Sequence, residues 1–144
     1  MLRSGRRSHA SYVGALLTRF EEVKFDAMLL PSFSPEELKA RLGLAPPVPA
    51  AAAGGAAPPA PPALRGALAG VPFLVTPNVD VAGMRSHAGC KVLEPAAPEA
   101  DAAVVAALRG AGAVVFGQAN MHAFGMGVSC ANAAYGTVKN VSAA

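Results

Sequence analysis

Two loops of this chain carry side chains whose types and spacing suit chemistry. The first, Thr76-Pro77-Asn78-Val79-Asp80, follows the apolar run Val71-Pro72-Phe73-Leu74-Val75. The second, Asn120-Met121-His122, follows Ala113-Val114-Val115-Phe116 and leads into Gly125-Met126-Gly127-Val128-Ser129. An apolar strand running into an Asn- or Gly-bearing loop is how an α/β protein presents chemistry, at the carboxyl ends of its strands. A loop histidine near a strand end, as His122 is, is a candidate general base. No His, Cys or carboxylate cluster accompanies it in sequence, and His87 lies far off, so a structural hydrogen bond is its expected role. Gly125 and Gly127 permit close backbone approach to a ligand. Ser142 stands alone near the last residue, with no base and no glycine cradle beside it. Cys90 and Cys130 fall outside any metal-ligand spacing, and neither a metal nor another cofactor is expected. Two lone thiols point to a reducing compartment without a disulfide framework, and Cys130 is expected as a small buried thiol.

The elements that must hold these loops follow from local pattern. The run 71–75 is too continuously apolar for a one-sided antiparallel sheet and predicts a buried strand of a mainly parallel sheet, with Pro72 at its start. Asp101 is expected to cap or open a helix through Leu108 and Arg109, ended by Gly110 or Gly112. Residues 113–116 form the next strand, which makes a β-α-β crossover. Upstream, Tyr12, Leu16, Leu17, Phe20 and Val23 recur at helical spacing over 11–24. Asp26 to Pro31 is a short apolar run stopped by proline. Ser34-Pro35-Glu36-Glu37 is a helix start, with Ser as cap, Pro in the first position and acids in the first turn. That helix runs to Gly43.

Three regions result: an N-terminal helical segment over 1–44, an Ala/Pro-rich linker or insertion over 45–65, and an α/β portion over 66–144. The linker's prolines, from Pro46 to Pro62, predict a semi-rigid solvated stretch with no core of its own.

Composition narrows the partners. The 144 residues suit one domain, yet only 15% are charged, and much of the 53% apolar content is Ala, which buries little. The net charge of +3 comes largely from Arg3, Arg6 and Arg7, with no basic, aromatic-interleaved stripe, so nucleic acid is not an expected partner. No apolar run reaches the ~20 residues a spanning helix needs. The thin charge predicts tight packing or association through an exposed sheet, with itself or a protein partner. The expected compartment is the cytoplasm. The alternative is a mitochondrion or plastid, because the first acid is Glu21 and the start is Arg- and Ser-rich.

Taken in order, these residues resemble the opening of the amidase signature family. Residues 70–83 are similar to that family's first strand and loop, and Ala88, Gly89 and Lys91 fit the segment that follows. Asp101 to Val105, Leu108-Arg109 and Ala111-Gly112-Ala113 fit its helix and second strand. Asn120-Met121-His122, Phe124, Gly127, Asn132, Gly136 and Asn140 fit its next loop. The wording at Asn120-Met121-His122 looks most like the branch that hydrolyses indoleacetamide and mandelamide. The resemblance covers about half the chain and implies a partial α/β fold of mainly parallel strands with covering helices and an incomplete sheet.

It also implies a chemistry, hydrolysis of the carbon–nitrogen bond of a small linear amide. In that family a lysine after the first strand acts as base through a serine held on a cis peptide. This serine activates a second, nucleophilic serine, and backbone N–H groups of a Gly/Ser-rich loop hold the oxyanion. Here Thr76 occupies the lysine position and Pro77 that of the neighbouring acid, Gln118 replaces a loop lysine, and Ala123 a glutamate. Threonine takes up no proton near neutral pH, and the serine loop expected after Asn140 does not follow in Val141-Ser142-Ala143-Ala144. The resemblance therefore implies a truncated and catalytically inactive amidase-type chain. Residues Gly125, Met126, Gly127, Val128 and Ser129 fit the segment lining the acyl side of the cleft. The alternative reading is a non-catalytic interaction or small-ligand-binding module.

Overall fold

The computed structural model describes residues 9–27, 35–42 and 65–139. The apolar run beyond Ala27, the Ser34 cap, residues 45–64 and Ser142 lie outside the described residues. Helix α1 spans His9–Ala27 and α2 Pro35–Arg41, the latter with Glu36 and Glu37 in its first turn as the sequence predicts. Strand β1 is Pro72–Val75, helix α3 Ala103–Gly110 and strand β2 Val114–Gln118. A short hairpin follows, β3 Ala131–Asn132 and β4 Gly136–Thr137, which periodicity does not predict. Its strands are too short to carry a pattern.

β1 and β2 pair in parallel, from Pro72 opposite Val114 to Val75 opposite Gln118, with an irregularity between Phe73 and Leu74. Pro72 sits first in its strand, where its missing N–H costs no ladder bond. The expected crossover is present: β1, a long loop, α3, then β2. All five residues of β2 are buried. β1 departs from expectation, because Leu74 is 44% exposed. Its continuous apolar run leaves one face uncovered among the described residues.

The core gathers Val75 from β1, Val81 and Met84 from the loop, Val105 from α3 and Val114, Val115 and Phe116 from β2. Val13 of α1 and Leu42, just after α2, join the same cluster, and Tyr12 and Leu17 pack against it. Of the α1 face read from helical spacing, Tyr12 and Leu17 pack on the core, while Val13, outside that reading, is the α1 residue buried deepest there.

Asp101 does not cap α3. The cap position is Ala102, and no side chain bonds there. The Asp101 carboxylate instead accepts the Ala82 N–H at 2.8 Å and pairs with Arg109 at 2.7 Å. A long-range partner outcompetes the local cap because both groups are largely buried, at 15% and 16% side-chain exposure. This pair ties the loop after β1 to the crossover helix. The Asp80 carbonyl accepts the Ala102 N–H nearby, at 2.9 Å.

Candidate functional site at the strand ends

The carboxyl ends of β1 and β2 lie side by side. The Ala119 N–H donates to the Val75 carbonyl at 3.0 Å, so the chain leaves the sheet at Thr76 and at Asn120 in adjacent positions. Thr76 is exposed there, followed by a buried Pro77. Gln118 is buried and donates through Nε2 to the Arg85 carbonyl at 2.7 Å. It supports the first loop rather than facing solvent.

Three loop segments then knit together: 86–90, 119–127 and 130–136. Asn132 is the centre. Its Nδ2 donates to the carbonyls of Gly89 at 2.7 Å and Met121 at 3.0 Å. Its Oδ1 accepts the N–H groups of Ala134 at 2.8 Å and Tyr135 at 3.1 Å. Every hydrogen-bonding position of the side chain is used, which is why an amide is tolerated in a buried position. Asn120 repeats the device at lower burial. Its Oδ1 accepts the Met121 N–H, and its Nδ2 donates to the carbonyls of Tyr135 and Gly136. The Phe124 N–H donates to the Ala88 carbonyl at 2.7 Å, joining two non-glycine residues of positive φ, 54° and 46°. Such backbone persists only where the surroundings over-determine it.

Gly89 shows how tight the knot is. Its φ is +71°, and a Cβ there would stand 3.0 Å from Asn132 Nδ2 and 3.1 Å from the carbonyl oxygens of Met121 and His122. His87 is 4% exposed. Its Nδ1 accepts the Gly89 N–H at 3.2 Å, and its ring meets that of Tyr135 at 4.6 Å between centroids. Burial lowers the His87 pKa below its usual 6.5, opposed by Glu94 and reinforced by Arg85. Burial likewise raises that of Tyr135, with Glu94 and Cys90 acting in the same direction and Arg85 against it.

His122 does not make the hydrogen bond expected of it at Nδ1. That atom is buried without a partner among the described residues, and its ring lies against Gly127. Residues Gly125, Met126, Gly127, Val128 and Ser129 are all exposed beside it. Phe124, Met126 and Val128 alternate along this stretch as bare apolar side chains, at 58%, 84% and 104% exposure. Cys130 is half-buried, at a φ of 50°. Among the described residues no group of three His, Cys, Asp or Glu is placed to hold a metal ion, and no helix is long and apolar enough to cross a membrane.

Sequence reading missed the parts played by His87, Asn132 and Tyr135. The one available signal was Asn132 ahead of Tyr135-Gly136, a composition that favours a side-chain-closed turn.

Known proteins resemble this chain in sequence and in fold. The family model described as Amidase matches residues 46–142. A glutamyl-tRNA(Gln) amidotransferase subunit from Methanococcoides burtonii is 40% identical over 75 residues, 52% of this chain and 16% of that protein. The corresponding mitochondrial protein of Ixodes scapularis is 43% identical over 76 residues, 53% of this chain and 15% of that one. The solved structure of 6-aminohexanoate cyclic dimer hydrolase complexed with substrate superposes with a TM-score of 0.70 at 23% identity, over 96% of this chain and 26% of the hydrolase. That likeness is one of fold. The aligned stretch corresponds to about one sixth of the length of these curated relatives.

Proposed function

This chain belongs to the amidase family, and we propose that its 144 residues carry the first β-α-β unit and cleft-side loops of a linear-amide hydrolase lineage without being able to turn an amide over. The observation that carries this reading is Thr76. It stands exposed where β1 leaves the sheet, beside the exit of β2, and the resemblance makes this the position of the family's base lysine. A hydroxyl there cannot collect the proton that a serine nucleophile must lose. By the same resemblance, Gln118 and Ala123 replace a lysine and a glutamate of the family.

Within this reading, Gly125, Met126, Gly127, Val128 and Ser129 line the acyl side of the cleft, and a small amide is the substrate class. The wording at Asn120-Met121-His122 supports an indoleacetamide- or mandelamide-type parent, whereas the relatives named above are subunits of an amidotransferase. Residues 1–44, 45–65 and 66–144 are proposed as helical segment, linker and α/β portion. The cytoplasm is the proposed compartment. The organelle alternative draws on the Arg- and Ser-rich start and on a relative named mitochondrial.

The test is a chimera in which the Gly/Ser-rich region and remainder of an indoleacetamide-type amidase follow Asn140. With Thr76 in place it should release no ammonia above buffer from indoleacetamide or mandelamide. The Thr76→Lys chimera should be active, since losing a member of a nucleophile–base unit costs a factor of about 10⁴–10⁶. Ready turnover by the Thr76 chimera would show that this position is not the base.

A second reading, a non-catalytic docking module, is favoured by the exposed Phe124, Met126 and Val128 and by the uncovered face at Leu74. Exposed apolar surface and open strand edges template association. Light scattering on the purified chain distinguishes the two. Oligomers that dissociate when Leu74→Lys is introduced favour docking, and a sharp monomer with a cooperative melt refutes it.

A further inference from the structure

The knot of loops contains a titratable group that amide chemistry does not use. His87 lies behind the strand ends, holding the segment from which the other two loops hang. Gly89 donates its N–H to His87 Nδ1 and offers its carbonyl to Asn132, while Ala88 offers its carbonyl to Phe124. The Cys90 N–H returns to the His87 carbonyl at 2.7 Å. The turn around His87 therefore sets the position of both Asn132 and Phe124. A neutral imidazole can accept at Nδ1, and an imidazolium cannot, because both its nitrogens then donate.

We propose that His87 is an acid-sensitive latch, and that proton uptake at its Nδ1 releases the Gly89 N–H and frees residues 119–129 from the first loop. Protonation does two things at once. It turns the Gly89 contact into two donors facing each other, and it places a charge on a ring that is 4% exposed and packed on Tyr135. The charged groups facing the ring are Glu94, which favours the imidazolium, and Arg85, which opposes it. They also pair with each other at 3.6 Å, which leaves Glu94 partly neutralised as a counter-ion. Tyr135, packed on the ring, and Cys90, whose N–H donates to the His87 carbonyl, complete the surroundings.

The sign follows from linkage. Burial holds the folded-state pKa of His87 below the ordinary 6.5, so below that pH the unlatched chain binds more protons than the latched one. The latch is fully closed above about 6.5 and weakens as pH falls toward the folded-state value, by at most about tenfold per pH unit for one proton.

Hydrogen–deuterium exchange on the whole chain reads the latch directly. Between pH 7.5 and 5, after correction for intrinsic rates, peptides covering 84–92 and 119–129 should lose protection about tenfold or more, while 103–118 keeps its own. His87→Gln should remove the acid response of both peptides, and His122→Gln should leave it in place. Equal acid acceleration in His87→Gln and the unaltered chain overturns the proposal, as does a response abolished by His122→Gln. Should His87→Gln fail to fold, the unaltered chain decides. Selective loss at 84–92 and 119–129 supports the latch, and uniform loss across 103–129, or none, overturns it.

Discussion

The imidazole of His122 lies against Gly127 so closely that a Cβ on Gly127 would fall within the ring's Nδ1, Cε1 and Cγ. The contact closes residues 122–127 over the short helical turn Ala123–Gly125, and Phe124, Met126 and, just beyond, Val128 stand exposed. The left-handed backbone of Phe124, φ 54°, is the bend that makes this possible.

Gly127→Ala should accordingly destabilise the chain by about 1–3 kcal/mol, the usual cost of inserting a methyl into filled space. His122→Ala should cost little by itself at that point, since Nδ1 has no partner to lose among the described residues. In the double variant the Gly127→Ala penalty should largely vanish. Urea unfolding of the four proteins measures the coupling, and additive costs would contradict the contact.

Asn132 supports three segments through four hydrogen bonds. Asn132→Ala leaves buried carbonyls and N–H groups unpaired, at about 1–3 kcal/mol for each group that water cannot reach. Asn132→Asp should be no better than Ala despite its similar shape, because its second oxygen would face the carbonyls of Gly89 and Met121. Thermal melts at neutral pH should place both variants well below the parent, with faster amide exchange at 86–90.

Asp101 and Arg109 form a largely buried pair. Asp101→Ala should cost toward the lower end of about 3–5 kcal/mol, because it strands the guanidinium and frees the Ala82 N–H. In an Arg109→Met background the same change should cost distinctly less, leaving only the Ala82 bond to lose. Equal costs in both backgrounds would mean the pair contributes nothing to tying the loop to α3.

Gly89→Ala combines a left-handed backbone, φ +71°, with three polar atoms between 3.0 and 3.1 Å of the new methyl. Both effects act against the folded state, and a loss of about 2 kcal/mol or more is expected. Gly83→Ala has a similar φ, +77°, but open space around it. It should show only the backbone part, so the difference between the two midpoints isolates the crowding at the knot.

What the sequence determined by itself is the order of the main elements, the β3–β4 hairpin excepted. β1, α3 and β2 are specified by short-range facts: a continuous apolar run, an Ala-rich helical stretch ending in glycines, and a proline that fits only at a strand start. Helical spacing likewise placed Tyr12 and Leu17 on the packing side of α1, because a helix repeats its environment every three to four residues, but it missed Val13, the α1 side chain buried deepest. The position of Thr76 after β1 was legible for the same reason, since a strand's end fixes where its loop begins. The knot was not legible. Asn132 reaches Gly89 across 43 positions, Gln118 reaches Arg85 across 33, and Asp101 turns from its own helix toward Ala82, 19 residues back. Only the tertiary structure decides such partnerships, because a polar side chain satisfies whichever buried donor or acceptor folding brings beside it. Local pattern cannot say which that will be. The same holds for β1's open face and for His122, whose ring packs on a glycine where sequence suggested a hydrogen bond.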